Sequence, residues 1–154
     1  RISGMSVAVP ISGGHSGGYE GDAVQYLTKY GGCDSAIWTY DNPRGASSSD
    51  PKVQENRKHH MSLESYECDS FDDFATAWLL RFPCTVSYNW WSHVVMACDL
   101  VEIESGSWGV RIRNNWGNWE SKNDFGYAGY TVFREGKGTP SGGFAFRQVT
   151  ASTI

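Results

Sequence analysis

The 154-residue chain lacks most of the features that would assign a protein at a glance. It has no apolar run near the roughly 18 residues needed to cross a bilayer, and its N-terminus lacks a charged-then-apolar leader pattern. A soluble chain with no membrane partner is expected. It also has no excess of basic charge: 13 Lys and Arg against 17 Asp and Glu give a formal net charge of −4, and only Arg57-Lys58-His59-His60 gathers cations. Nucleic acid is therefore not an expected partner. No C-x-x-C spacing occurs among Cys33, Cys68, Cys84 and Cys98, which argues against a zinc knuckle or a thioredoxin-type redox pair. No N-x-S/T sequon and no internal repeat are present. Neither a metal nor a cofactor is implied. The compartment is not determined by the sequence; secretion and membership of an extracellular or virion assembly are among the options.

What is present is enough for one domain with a real core. The glycine- and serine-rich first 18 residues read as loop around a brief extended segment broken by Pro10. From Tyr19 the spacing of Val24 and Leu27, with Gly31-Gly32 as a stop, predicts a helix over about 20–30. Residues 39–65, with Pro43, Gly45, three serines and Pro51, read as surface loop with room for one short strand. Ser70 caps a second helix whose first turn holds Asp72 and Asp73, with Phe71, Phe74, Trp78, Leu79 and Phe82 on one face. Beyond Pro83 the segments CTVSYNW, SHVVMACDLVEI, SWGVRIRNNW and GYAGYTVF alternate as antiparallel strands do. The order of elements is α+β rather than alternating βαβ.

Within the strands, His93 and the adjacent pair Asn114-Asn115 invite a chemical reading. A histidine serving as base or imidazolium partner needs its second ring nitrogen held, or the wrong tautomer faces the chemistry. An asparagine oxygen can accept that N–H without adding a charge, and antiparallel neighbours can bring the start of one strand to the end of the other. A tryptophan over the pair excludes water and strengthens the bond. A strand histidine satisfied by a carbonyl is the blander alternative.

The segments S-H-V-V-M, R-I-R-N-N-W-G-N-W and F-G-Y-A-G-Y-T-V-F resemble the histidine and asparagine regions of papain-like cysteine peptidases. The resemblance implies a catalytic His93, an orienting Asn114 and Trp116 as the shield, with Asn115 in place of the usual serine. G-G-H-S-G-G-Y-E-G-D-A-V-Q-Y is similar to that family's glycine segment. On that alignment Gly17 and Gly18 would pair with an extended substrate and Tyr19 would flank a substrate pocket, while His15 stands at a disulfide cysteine. The resemblance spans roughly residues 12–150. It implies a single incomplete papain-like domain over 1–154, with residues 1–35 the remnant of the helical half. Residues 36–154 are then mostly an antiparallel, barrel-like β half.

The family's nucleophilic cysteine lies in a Q-G-x-C-G-x-C-W helix several dozen residues upstream of the glycine segment, ahead of Arg1. Three functions are consistent with this. The chain can be the C-terminal part of a peptidase that cuts a peptide substrate once a second polypeptide or upstream segment supplies the cysteine. It can be a non-catalytic structural or binding module, for instance a subunit of a virion. Or Cys33 can serve as the nucleophile of an amidase-type enzyme. Asp72 with Asp73 and Glu102 with Glu104 read as a helix start and a strand edge rather than a glycosidase pair. His59-His60 reads as a solvated turn.

Overall fold

In a computed structural model, residues 2–13, 18–39, 41–42, 45–114, 129–134 and 136–150 are described, with residues 2, 148 and 149 described by their backbone only. The chain divides into two compact units, residues 1–65 with 148–154, and residues 66–147.

The first unit holds β1 (Ile2–Ser3), α1 (Met5–Ser12), α2 (Glu20–Lys29), β2 (Cys33–Asp34), α3 (Pro51–Arg57) and the beginning of β3 (Ser62–Cys68). β1 and β2 pair antiparallel, Ser3 opposite Cys33. The buried Ser6 ties the pair to α1: its Oγ donates to Ser3 O (2.7 Å) and accepts from Cys33 N (2.8 Å). α1 forms where the sequence reads as loop, despite Pro10 inside it. Proline at that place removes the N–H that would bond the carbonyl four residues back, Ser6 O. Arg57 Nη2 donates to that carbonyl instead, at 3.4 Å, so a tertiary contact sustains a helix that local rules discourage.

α2 matches its expected span, and Gly31 ends it at φ 77°, where an added Cβ would lie 2.2 Å from Arg57 O. α3 departs from the expected loop. Its start signal was present in the sequence: Asp50 caps it, accepting from Lys52 N at 2.8 Å, and Pro51 occupies the first turn. It delivers Val53 into a small core with Cys33 and Trp38.

The second unit holds the rest of β3, then α4 (Phe71–Leu79), β4 (Cys84–Tyr88), β5 (His93–Glu104), β6 (Ser107–Arg113), β7 (Tyr130–Arg134) and most of β8 (Gly142–Val149). The sheet runs β3-β8-β4-β5-β6-β7, so the expected antiparallel strands are found. α4 starts with a reciprocal capping box between Ser70 and Asp73. Its C-terminus closes with Arg81 N donating to Trp78 O and Phe82 N to Ala77 O, Arg81 sitting at φ 64° where glycine is usual. The buried face is Phe74, Ala77 and Trp78; Leu79, expected inside, is 79% exposed. Phe74 stacks on Trp78 at 5.6 Å and lies so close to Gly143 that a Cβ there would meet Phe74 Cζ at 3.1 Å.

Candidate functional site

The alternation of β5 and β6 decides which side chains meet. On β6, Val110, Ile112 and Asn114 fall on the inner face, at 1%, 0% and 4% exposure. On β5 the inner positions are His93, Val95 and Ala97, and the register Ala97 to Ile112 and Met96 to Arg113 carries Asn114 to the level of Val95. His93 is then the diagonal neighbour of Asn114 on the same face, within reach across adjacent strands. A slip of one residue would send Asn114 to the outside. Cys98 is the extra residue of a bulge between Ala97 and Asp99, which restores Leu100 to the inner face opposite Val110.

His93 Nε2 and Asn114 Oδ1 are 3.0 Å apart. An amide oxygen only accepts, so the ring carries its proton on Nε2, and the lone pair of the neutral ring lies on Nδ1. Asn114 is itself anchored by its backbone N–H donating to Gly129 O at 3.0 Å. His93 follows a tight turn, Asn89 to Ser92, closed by Trp91 N donating to Tyr88 O, with Ser92 at φ 52°. The turn brings the Trp91 ring edge-on to the His93 ring, centroids 4.7 Å apart and planes at 73°. Trp91 is braced by a parallel stack on Trp90 (5.7 Å) and by Phe133 (5.5 Å), and Trp90 Nε1 donates to Lys137 O. The sequence holds the signal for this tryptophan, two aromatics in a four-residue link, although the resemblance directs attention to Trp116.

Of the remaining sequence-derived positions, Trp116 and Gly17 lie outside the described residues, as do His15 and Asn115. Gly18 and Tyr19 belong to the first unit: Tyr19 stands just before α2 and is 77% exposed, and a Cβ on Gly18 would lie 3.1 Å from Ile11 Cδ1.

The cysteines separate by environment. Cys33 is fully buried in the first unit, and burial pushes its thiol up, which removes the basis for the amidase reading because a nucleophile must be an accessible thiolate. Cys84 is pushed up to about 12 by burial. It pairs in register with Ala97, not Cys98, so Cys84 points into the core and Cys98 outward. All four thiols are free. His60 is not part of a solvated turn: its largely buried ring lies 3.2 Å from Asp34 Oδ2, which also accepts from Asn56 Nδ2 at 3.0 Å. Asp73 is absorbed by the capping box and Glu104 by Arg134 at 3.2 Å, while Glu102 accepts from Gly106 N. Among the described residues no group of three or more His, Cys, Asp or Glu side chains could hold a metal ion, and no helix is long and apolar enough to cross a membrane.

No protein-family model matches the sequence, and no curated protein matches it. Solved structures do. One, from work on antibody cross-reactivity between the mite allergens Blo t 1 and Der p 1, is 17% identical with a TM-score of 0.66; the alignment covers 96% of this chain and 56% of that one. Xylellain, a cysteine protease from Xylella fastidiosa, is 19% identical with a TM-score of 0.67, over 96% of this chain and 70% of its own. The Amb a 11 cysteine protease of ragweed pollen, in its proform, is 14% identical with a TM-score of 0.70, over 96% and 52%. The chain thus spans between about half and 70% of the chains it is similar to. At these identities the likeness is one of backbone architecture, and it agrees with the α+β order described above. The chain has the papain-like cysteine protease fold.

Proposed function

We infer that the chain is the histidine- and asparagine-bearing part of a papain-like cysteine peptidase, which hydrolyses peptide bonds when a second polypeptide or an upstream segment brings the cysteine. The observation that carries this reading is the 3.0 Å contact between His93 Nε2 and Asn114 Oδ1 on adjacent strands of this fold. With Nε2–H held by the amide, Nδ1 is the nitrogen left to take a proton from a thiol and return it to the leaving amine. A neutral amide steadies the ring without pinning the imidazolium by a full charge. Trp91 limits water at the ring and takes part of the role that the resemblance assigns to Trp116. Gly18 and Tyr19 would contribute to substrate binding, together with Gly17.

A second reading is favoured by the Trp90–Trp91 stack braced against Phe133, which crowds the His93 ring with aromatic surface. In that reading the fold serves as a non-catalytic structural or binding module of a larger assembly.

Labelling the native material with an epoxide thiol inhibitor separates the two. The peptidase reading expects one modified cysteine, in a segment outside Arg1–Ile154, and loss of labelling in His93→Ala. Labelling that survives His93→Ala, or native material in which no cysteine is labelled, refutes it in favour of the module.

A further inference from the structure

In the second unit, apolar surface lies open around one hollow. Phe71 and Leu79 on α4 and Trp108 at the start of β6 are 37%, 79% and 49% exposed, and all three line a single cavity of about 560 Å³. Apolar side chains exposed singly need no explanation, but three large ones around one hollow mark a binding surface. Burial grades across the lining: Trp78 and Val110 are buried, Leu100 and Phe133 half-buried, and Leu79 and Trp108 exposed at the mouth. The walls are fixed in advance. The Trp78 ring stacks on Phe74 at 5.6 Å and meets Phe71 edge-on at 6.4 Å. Phe133 is held by the rings of Tyr88, Trp90 and Trp91 at 5.1, 5.3 and 5.5 Å. The Tyr88 hydroxyl donates to Gly138 O at 3.2 Å and Gly138 N donates to Arg134 O at 2.7 Å, which ties down the turn that completes the lining. A preformed apolar hollow of this size suits a small molecule.

Two charged residues, Arg81 and Asp99, share the lining. Asp99 is committed to its own strand: its Oδ1 accepts from Leu100 N at 2.9 Å, and it stands opposite Arg111 in the β5–β6 register. Arg81 is exposed, and among the described residues no hydrogen bond or ion pair holds its guanidinium. It also sits at φ 64°, where glycine is the less strained choice, so a charged side chain is kept at this rim against a backbone preference. A cation at the mouth of an apolar hollow sets the polarity of what the hollow accepts.

We propose that the cavity between the C-terminal end of α4 and the β5–β6 hairpin binds a free fatty acid of medium chain length, its tail against Trp78, Leu100 and Phe133 and its carboxylate at Arg81. A guanidinium matches a carboxylate in charge and in geometry, and the apolar walls add affinity with each methylene taken out of water. A flat protein surface would cover the rim and leave the hollow behind it, whereas a flexible chain fills the hollow and still reaches the rim. This binding does not depend on the peptidase reading.

The test titrates the full chain by calorimetry at pH 7 with octanoate, decanoate, decanol and decyltrimethylammonium, all below micelle-forming concentrations, and follows the tryptophan indole N–H resonances of ¹⁵N-labelled protein. Saturable binding of one decanoate is expected, about tenfold tighter than octanoate for two further buried methylenes, with shifts at Trp78 and Trp108. Decyltrimethylammonium should bind more weakly than decanoate. Arg81→Gly removes the partner of the head group and relieves the backbone, so it should weaken decanoate about 3–5-fold, leave decanol unchanged and not lower Tm. Trp108→Ala should weaken decanoate and decanol alike. Absence of saturable binding, a cationic head bound as tightly as the carboxylate, unchanged decanoate affinity in Arg81→Gly, or indole shifts confined to tryptophans outside the cavity overturns the proposal. Shifts of the Trp78 and Trp108 indoles on dilution of the free protein would place a second copy in the cavity and overturn it too.

Discussion

Replacing Asn114 by alanine is the sharpest probe of the candidate site. Asn114 is 4% exposed and its Oδ1 is 3.0 Å from His93 Nε2, so the substitution removes the acceptor and leaves a half-buried N–H beside Trp91. A hydrogen bond of this kind contributes about 1 kcal/mol net, and stranding its donor raises the cost toward about 2 kcal/mol. With a urea dependence of about 2 kcal/mol per molar, the midpoint should fall by about 0.5–1 M with an unchanged slope. Nitrogen-detected NMR of the His93 ring reports the cause directly. The native chain should show a proton on Nε2 that exchanges slowly with water, and Asn114→Ala should lose that protection. Asn114→Asp keeps an acceptor and should retain the protected proton, with a bond strengthened by the ionised acceptor. If the native ring shows no protected Nε2 proton, or if alanine leaves both the proton and the midpoint unchanged, the inferred bond does not orient the histidine.

Phe74 has 0% exposure and stacks on Trp78; Phe74→Ala should cost about 3–5 kcal/mol in denaturant unfolding, and a loss under about 1 kcal/mol would show that α4 is not the anchor of the inner sheet face. Asp34 is held below the usual carboxylate range by Asn56 and then His60, so its folded pKa lies below the unfolded value of about 3.9. Its stabilisation is complete above that unfolded value and is lost as pH falls through the folded one; Asp34→Asn should therefore flatten the acid side of the stability profile measured by urea titration, and an unchanged profile would refute the linkage. Cys98 is the exposed thiol, although partial burial raises it against the pull of Arg113 and Arg111, while Cys33, Cys68 and Cys84 are buried. A disulfide reagent at pH 8–9 should modify one equivalent in the native chain and the others only after urea, with the single site mapping to Cys98 by mass spectrometry.

The sequence alone determined the elements whose signals are local. The capping box at Ser70 and Asp73, the helix ended by Gly31 and the alternation of β4 to β6 each depend on residues within a few positions of one another. The resemblance, not the periodicity, singled out Asn114 over Asn115 as the partner of His93, and the structure puts Asn114 Oδ1 3.0 Å from the ring. Tertiary structure decided the rest. α1 forms despite Pro10, and Arg57 donates at 3.4 Å to Ser6 O, the carbonyl that Pro10 orphans, a contact 51 residues away in sequence that no local rule reveals. α3 had a readable cap in Asp50-Pro51, but its short apolar content gave no periodicity, and only burial of Val53 beside Trp38 and Cys33 gives it a reason to form. Leu79 looked internal because it continues the apolar spacing of α4, yet the helix end turns away at Arg81 and leaves it in solvent. His60 and Arg57 read as members of a solvated basic run, since one-dimensional spacing cannot show that Asp34 reaches one and that the rings of Tyr26 and Trp38 lie against the other, which is 4% exposed. Where the physics is a hydrogen bond or a period within one element the chain declares it, and where it is desolvation of a charge only the packed fold does.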